Sequence, residues 1–222
     1  MQAIEADALA ELGDDGPGAP LTVALAVNAD SLATWFVAAL AAAGPGLAFD
    51  IRRADQTRTA ELLRDGTVMA AVTAAAEPVS GCTVSRLGHM RYRPRASAAF
   101  AARWFADGVT APALAAAPVV LFDREDPLQD QYLRRHSRRP LSPPRCYVPG
   151  SGAFVQAVRQ GLGWGMVPDL QAVAPPGEAP LVEFDARGAI DVPLYWQQWQ
   201  RSSAALERVS AAVHAHAAVA LS

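Results

Sequence analysis

The sequence contains no lysine: all 19 of its basic residues are arginines, set against 22 acidic residues and a formal net charge of −3 at pH 7. A domain that grips nucleic acid usually carries clustered positive charge on one face. The only dense basic run in the sequence is RRHSRR, residues 134 to 139. Such a run at the end of a helix is usually a solvated face, with a phosphate site as the alternative. We therefore expect that this chain alone does not bind DNA.

Cysteine is nearly absent as well, since the chain has only Cys82 and Cys146, without the CxxC spacing of a metal or redox motif. Two cysteines do not make a disulfide scaffold in a chain of 222 residues, which favours a reducing cytoplasm. No apolar run approaches the ~18 residues of a membrane-spanning helix. The acidic start MQAIEADALAELGDDG has no apolar signal-peptide core. The expected location is the cytoplasm, with no membrane partner.

Motifs for catalysis are also lacking. In GLGWGM, residues 161 to 166, the third glycine comes one position early for a dinucleotide fingerprint, and a helix precedes the motif where a strand should. The PGSGA segment around Ser151 lacks the glycine spacing of a nucleophile elbow. The histidines do not have the spacing of a zinc pair or a triad: His89, His136, His214 and His216. We expect no cofactor, no metal and no enzymatic activity.

What the sequence does contain is a repeated alternation of apolar strands and helices. From residue 21 the chain reads LTVALAV (strand), DSLATWFVAALAAA (helix), LAFDIRRA (strand), TRTAELLRDG (helix) and VMAAVTAA (strand). Short joins between such elements indicate a parallel α/β unit. A second run of this kind follows from about residue 102, and SSAALERVSAAVHAHAAVALS predicts a closing helix capped by Ser202 or Ser203.

The predicted fold class is α/β, with two Rossmann-like lobes joined by two crossover strands, as in type 2 periplasmic binding proteins. Residues 1–20 would be the end of a linker helix and a linker; 21–92 with 197–222 would form the first lobe and 93–196 the second. In open α/β sheets, ligands bind beyond the carboxyl ends of the strands. A ligand site is therefore expected in the cleft between the lobes.

Six segments, taken in order, resemble a known family: VNADSLATWF, DQTRTAELLRDGTVMAAVT, GCTVSRLGHMRY, APVVLFDREDPLQDQ, GAFVQAVRQGLGWGMVP and VPLYWQQW. They resemble the effector-binding half of the LysR-type transcription regulators, and more closely the ArgP/LysG subgroup. The resemblance implies a sensor of lysine or arginine, with histidine as a third candidate, that controls an amino-acid exporter gene as a homodimer or tetramer. It also implies an N-terminal winged helix-turn-helix that contacts DNA and lies outside this sequence.

The candidate effector-binding residues follow the predicted strands at their carboxyl ends, where the resemblance also places the effector loops. They are Asn28, Asp30, Ser31, Asp55, Gln56, Thr73, Phe122, Asp123, Asp126 and Ser151. A helix beginning near Ser31 suits the carboxylate of an amino acid, because free N–H groups and the helix dipole favour an anion there. Asp30 would repel an anionic effector and so favours a cationic one.

Structural roles are the alternative at most of these positions. Helix capping is the alternative for two pairs of residues: Asp30 with Ser31, and Asp123 with Asp126. Asp55 could instead occupy a turn or pair with Arg58, and Phe122 could belong to the core. The tryptophans would lie in the core or on a dimer surface: Trp35, Trp196 and Trp199.

Two other functional classes stay open beside the regulator. A solute-binding protein of an amino-acid transporter would share the fold, but its gene would encode a signal peptide before Met1. An enzyme of the same two-lobed shape, such as a deaminase of the porphyrin pathway, would need a cofactor-anchoring cysteine and a basic cluster in the cleft.

Overall fold

The computed structural model describes residues 20 to 54 and 56 to 221, apart from the side chains of residues 56 and 57. The described chain forms two compact units, one made of the residues up to His89 and from Pro193 onward, the other of Met90–Val192. No helix in these described ranges is long and apolar enough to cross a membrane. The end of a linker helix and the linker predicted for residues 1–20 lie outside the described residues, apart from Pro20.

Strands and helices alternate along most of the chain. The strands are β1 (Leu21–Val27), β2 (Leu47–Arg53), β3 (Ala70–Thr73), β4 (Cys82–Ala96), β5 (Val119–Leu121), β6 (Arg145–Tyr147), β7 (Gly165–Pro168), β8 (Val182–Glu183) and β9 (Ile190–Trp199). The helices are α1 (three consecutive segments, Ala29–Ser31, Leu32–Phe36 and Val37–Ala42), α2 (Gln56–Arg64), α3 (Ala98–Trp104), α4 (Ala111–Ala116), α5 (Leu128–His136), α6 (Ser151–Arg159) and α7 (Ala204–Ala220). This alternation confirms the predicted α/β class.

In the first unit, β1 is parallel to both β2 and β3, and β9 pairs with β3 in the antiparallel direction. The apolar run of β1 is buried from Val23 onward apart from a half-buried Ala24, as expected for a strand between two parallel neighbours with both faces covered. Helix α7 buries Leu206, Val209 and Val213 on one face. The Leu206 amide donates to Ser203 Oγ at 3.3 Å, so Ser203 is the predicted cap.

The tryptophans of the first unit lie in its core. Trp35 and Trp196 are buried, and the Trp196 indole N–H donates to Ser210 Oγ at 2.9 Å. The half-buried Trp199 donates to the carbonyl of Leu63 at 3.2 Å. Of the two locations proposed for these tryptophans, the core or a dimer surface, the structure of this chain places them in the core.

In the second unit, β5 and β6 are parallel, while β7 and β8 pair with β4 in the antiparallel direction. An aromatic core fills the unit: Trp164 is fully buried, with its ring 5.3 Å from Tyr132, centroid to centroid. A Cβ atom on Gly163 would lie 2.8 Å from the Pro118 carbonyl oxygen, and one on Gly165 would lie 2.6 Å from Phe154. Gly163 and Gly165 thus permit close packing of the GLGWGM turn against Pro118 and Phe154.

Candidate functional site

The carboxyl ends of β1 and β3 lie at the same edge of the first unit's sheet because the strands are parallel. Ala26 pairs with Ala71 in the register, so Asn28 and Thr73, each two residues further along, are level with each other. Helix α1 begins directly after Asn28. The fold therefore brings together the candidate residues that follow β1 and the one that ends β3.

Helix α1 starts at Ala29, one residue before the predicted segment DSLATWFVAALAAA. Asn28 occupies the N-cap position with an extended backbone, but its side chain makes no capping hydrogen bond. Ser31 is the third residue of the helix, so it does not occupy the cap position. The next five residues, Leu32–Phe36, form a π-helical segment. Such segments are rare and occur frequently at functional sites.

The start of α1 also holds buried polar atoms that lack hydrogen-bond partners. These atoms are Asn28 Oδ1, Ser31 Oγ and Trp35 Nε1, and none of them forms a hydrogen bond within the described part of the chain. Ser31 is 0% exposed. Leaving such a group unsatisfied costs about 1–3 kcal/mol, so each one calls for an explanation such as water or a ligand. The helix start therefore offers an acceptor and a hydroxyl that the described part of the chain does not use, and Trp35, in the π-helical segment, has an unused N–H donor.

The other candidate residues of the first unit differ in how they are placed. Asp30 lies half-buried in the first turn of α1, where the helix dipole is positive. Thr73 is buried, and its Oγ1 accepts the Ala75 amide at 3.1 Å, which leaves the hydroxyl proton to donate. Gln56 begins α2, and its side chain lies outside the described part, as does all of Asp55. The proposed turn or Arg58 pairing of Asp55 stays a prediction.

In the second unit the carboxylates after β5 accept hydrogen bonds from the backbone of their own loop. Asp123 Oδ1 accepts the backbone amides of Glu125 at 2.8 Å and Asp126 at 2.9 Å. Asp126 accepts the amides of Phe122 at 3.2 Å and of Leu128, the first residue of α5, at 3.1 Å. Burial raises the pKa of Asp126, and these two amides oppose the rise. Both aspartates thus have structural roles, but the N-cap position of α5 is Pro127 and not either of them. Asp123 holds loop amides only, while Asp126 bonds the first amide of the helix from the residue before the cap. Phe122 is half-buried beside them.

Ser151 is the first residue of α6 and is buried. Its Oγ accepts a hydrogen bond from Gln171 Nε2 at 2.9 Å. The sequence did not single out Gln171, which lies 20 residues further along the chain. Ser151 and the loop after β5 lie at one edge of their sheet because β5 and β6 are parallel, with Leu121 opposite Tyr147.

A group of paired arginines in the second unit also escaped the sequence analysis. Arg93 and Arg95 both contact Asp169, at 3.1 Å and 2.6 Å, and Arg93 also contacts Glu183 at 2.9 Å. Arg95 is only 9% exposed, and its Nη1 lacks a partner among the described residues. The available signal was the alternation RYRPR in β4, which places these arginines on one face of the strand.

Comparison with known proteins assigns the class to which this fold belongs. Residues 14–218 match the family model for the LysR substrate binding domain, so the chain belongs to that family of transcription-regulator effector domains. The predicted family is confirmed.

Particular relatives place the chain in the LysG/ArgP group of that family. The crystal structure of ArgP from Mycobacterium tuberculosis has a TM-score of 0.87 and 42% identity, covering 99% of this chain and 74% of that one. The lysine export transcriptional regulatory protein LysG of Corynebacterium efficiens is 40% identical over 220 residues, or 96% of this chain and 73% of the relative. Full-length LysG from Corynebacterium glutamicum with bound effector Arg has a TM-score of 0.81 and 36% identity, covering 100% of this chain and 75% of that one.

Proposed function

We propose that this domain senses a basic amino acid, arginine or lysine with histidine as a third candidate, and thereby controls transcription of an amino-acid export gene. The observation that carries the proposal is the pair of buried, unpartnered polar atoms at the start of α1, Asn28 Oδ1 and Ser31 Oγ. An amino acid supplies what both atoms lack, since its ammonium group donates and its carboxylate accepts. The C. glutamicum relative, 36% identical, has a structure with arginine bound, which supports the same class of ligand.

The ligand carboxylate would lie at the start of α1, where the Ser31 hydroxyl and the helix dipole favour an anion. The cationic groups would face Asp30 and Asn28 Oδ1. One ion pair at ~4 Å is worth about 4 kcal/mol at an effective dielectric constant of about 20, before desolvation is subtracted. After the costs of binding, two or three such contacts suit a dissociation constant between about 1 μM and 1 mM.

Calorimetry with arginine, lysine and histidine tests this proposal. The wild type should bind at least one of them with a Kd below about 1 mM, and Asp30→Ala should bind at least tenfold more weakly. Asp107→Ala removes an exposed carboxylate from the other unit, and this control should bind as the wild type does. If none of the three amino acids binds at millimolar concentration, the proposed function is wrong.

Citrulline sharpens the test because it has the shape of arginine but a neutral side chain in place of the charged guanidinium group. The wild type should prefer arginine over citrulline, and Asp30→Ala should lose most of that preference. If Asp30→Ala keeps the full preference, the cation is recognised elsewhere and the assignment of Asp30 is wrong, although the proposed function survives.

In the same proposal, the complete regulator works in the cytoplasm as a homodimer or tetramer and contacts DNA through an N-terminal winged helix-turn-helix. The effector would then shift the equilibrium between two arrangements of the assembly on DNA. Light scattering of the full-length protein would give its oligomeric state. Footprinting on the exporter promoter, with and without arginine, should show a change in the protected region.

A further inference from the structure

A pocket of about 350 Å³ lies at the carboxyl end of α5 in the second unit. Its lining residues are Val109, Arg135, His136, Asp185, Arg187 and Gly188. All of them belong to Met90–Val192, and none is among the candidate effector-binding residues. The volume is within the range of small-ligand sites.

The acidic residue of this pocket is already satisfied. Asp185 Oδ2 accepts the Tyr132 hydroxyl at 2.9 Å and lies 3.3 Å from His136 Nε2. Its Oδ1 accepts the backbone amide of Arg187 at 3.0 Å. With both oxygens engaged, the Asp185 carboxylate has little capacity left for a cationic ligand.

The loop that carries Asp185 is held in place against the core. A Cβ atom on Gly188 would lie 2.6 Å from both the Tyr132 ring and Pro94, so the backbone approaches them as only glycine allows. Arg135 Nη1 donates to the carbonyl of Ala189 at 2.9 Å, which fixes this guanidinium at the pocket wall. The wall is therefore organised before any ligand arrives, which lowers the entropic cost of binding.

The cationic groups of the pocket keep unused hydrogen-bond donors. Arg135 donates one N–H group to the Ala189 carbonyl, and its other N–H groups stay available. The exposed Arg187 guanidinium has no partner within the residues that the structure describes. Arg135 stands in the last turn of α5, where it also compensates the negative end of the helix dipole. Arg187 lies on a separate loop, so that role does not explain it.

We propose that this pocket binds a small molecule through an oxyanion, either a carboxylate or a phosphate. Two arginines and one satisfied carboxylate line the pocket, and planar guanidinium forks match both kinds of oxyanion. The remaining arginines of RRHSRR, which are Arg134, Arg138 and Arg139, extend the positive field around the pocket and would attract an anion. The basic run thus takes part in a site on the second unit that is separate from the candidate effector-binding residues.

The test is a nuclear magnetic resonance titration of this chain with inorganic phosphate and, separately, with succinate. Sodium chloride keeps the ionic strength constant. The backbone amides of residues 185 to 189 should shift and saturate with a millimolar Kd for at least one of the two anions. Saturation by phosphate alone indicates a phosphorylated ligand, saturation by succinate alone indicates a carboxylated one, and both outcomes support the oxyanion site. Saturation by neither anion overturns it.

Three variants separate a site from general charge attraction. Arg187→Gln and Arg135→Gln should each weaken binding at least fivefold. Arg138→Gln is the control. It removes one positive charge from the run RRHSRR, as Arg135→Gln does, but Arg138 does not line the pocket, so the Kd should change less than twofold. If Arg138→Gln weakens binding as much as Arg187→Gln, the site does not exist. Because the Arg135 variant also loses a loop contact, Arg187→Gln alone decides where the two disagree.

Discussion

The two units place similar residues at the carboxyl ends of parallel strands but use them differently. At the start of α1, Ser31 Oγ and Asn28 Oδ1 are buried and have no partner among the described residues. In the other unit, Ser151 Oγ is bonded to Gln171, and Asp126 accepts two backbone amides. The polar groups after β1 are thus available to a ligand, whereas those after β5 and β6 already form hydrogen bonds within the chain.

This difference indicates where recognition free energy is available. A polar group that already has a partner gains little from a ligand, because it exchanges one hydrogen bond for another. A buried group without a partner gains the full bond. We therefore expect ligand affinity to depend mainly on the start of α1, while the corresponding residues of the second unit maintain the structure around them.

The largest expected effect comes from Ser31→Ala. The affinity for the basic amino acid should fall at least tenfold because the ligand carboxylate loses a donor. The free energy of unfolding should stay unchanged or rise slightly, since the variant removes a buried hydroxyl without a partner. Calorimetry and urea denaturation measure the two quantities. Ser80→Ala, an exposed serine of the same unit, should alter neither. A stable Ser31→Ala protein with wild-type affinity would remove this serine from the site.

Ser151→Ala should give the opposite pattern. Loss of the bond to Gln171 should lower the free energy of unfolding by about 1 kcal/mol, and the affinity should change less than twofold. Gln171→Ala should cost a similar amount, with the double variant less destabilised than the sum of the two, because both residues share one contact. A large loss of affinity without destabilisation would show that the two strand ends are used alike.

The elements were more predictable from the sequence than the site was. Strand β1 has the predicted bounds, Leu21–Val27, because a mainly apolar run between Pro20 and the polar Asn28 gives a clear signal. The π-helical segment of α1 gave no such signal, since it depends on how the backbone hydrogen bonds shift under tertiary packing. The composition of the loop after β5 allowed Asp126 either to bind or to cap. Which role it adopts depends on the positions of the Phe122 and Leu128 amides in space.

The smallest expected effect concerns pH. Burial raises the pKa of Asp126 above its ordinary value of 3.8, so the folded state holds this proton more tightly than the unfolded state does. The resulting stabilisation is complete below about pH 4 and is lost as the pH rises through the higher pKa of the folded state. The stability of the wild type relative to Asp126→Asn should therefore decline as the pH rises from about 4 towards 7. Urea denaturation at several pH values measures this difference in the free energy of unfolding.

Asp126→Ala is the control. Its stability relative to the wild type should change with pH by the same slope, with a different constant difference, because neither variant titrates at this position. A constant difference would mean that the amides of Phe122 and Leu128 only balance the effect of burial. A difference that grows with pH would mean that they outweigh burial, and that the loop after β5 stabilises the charged carboxylate.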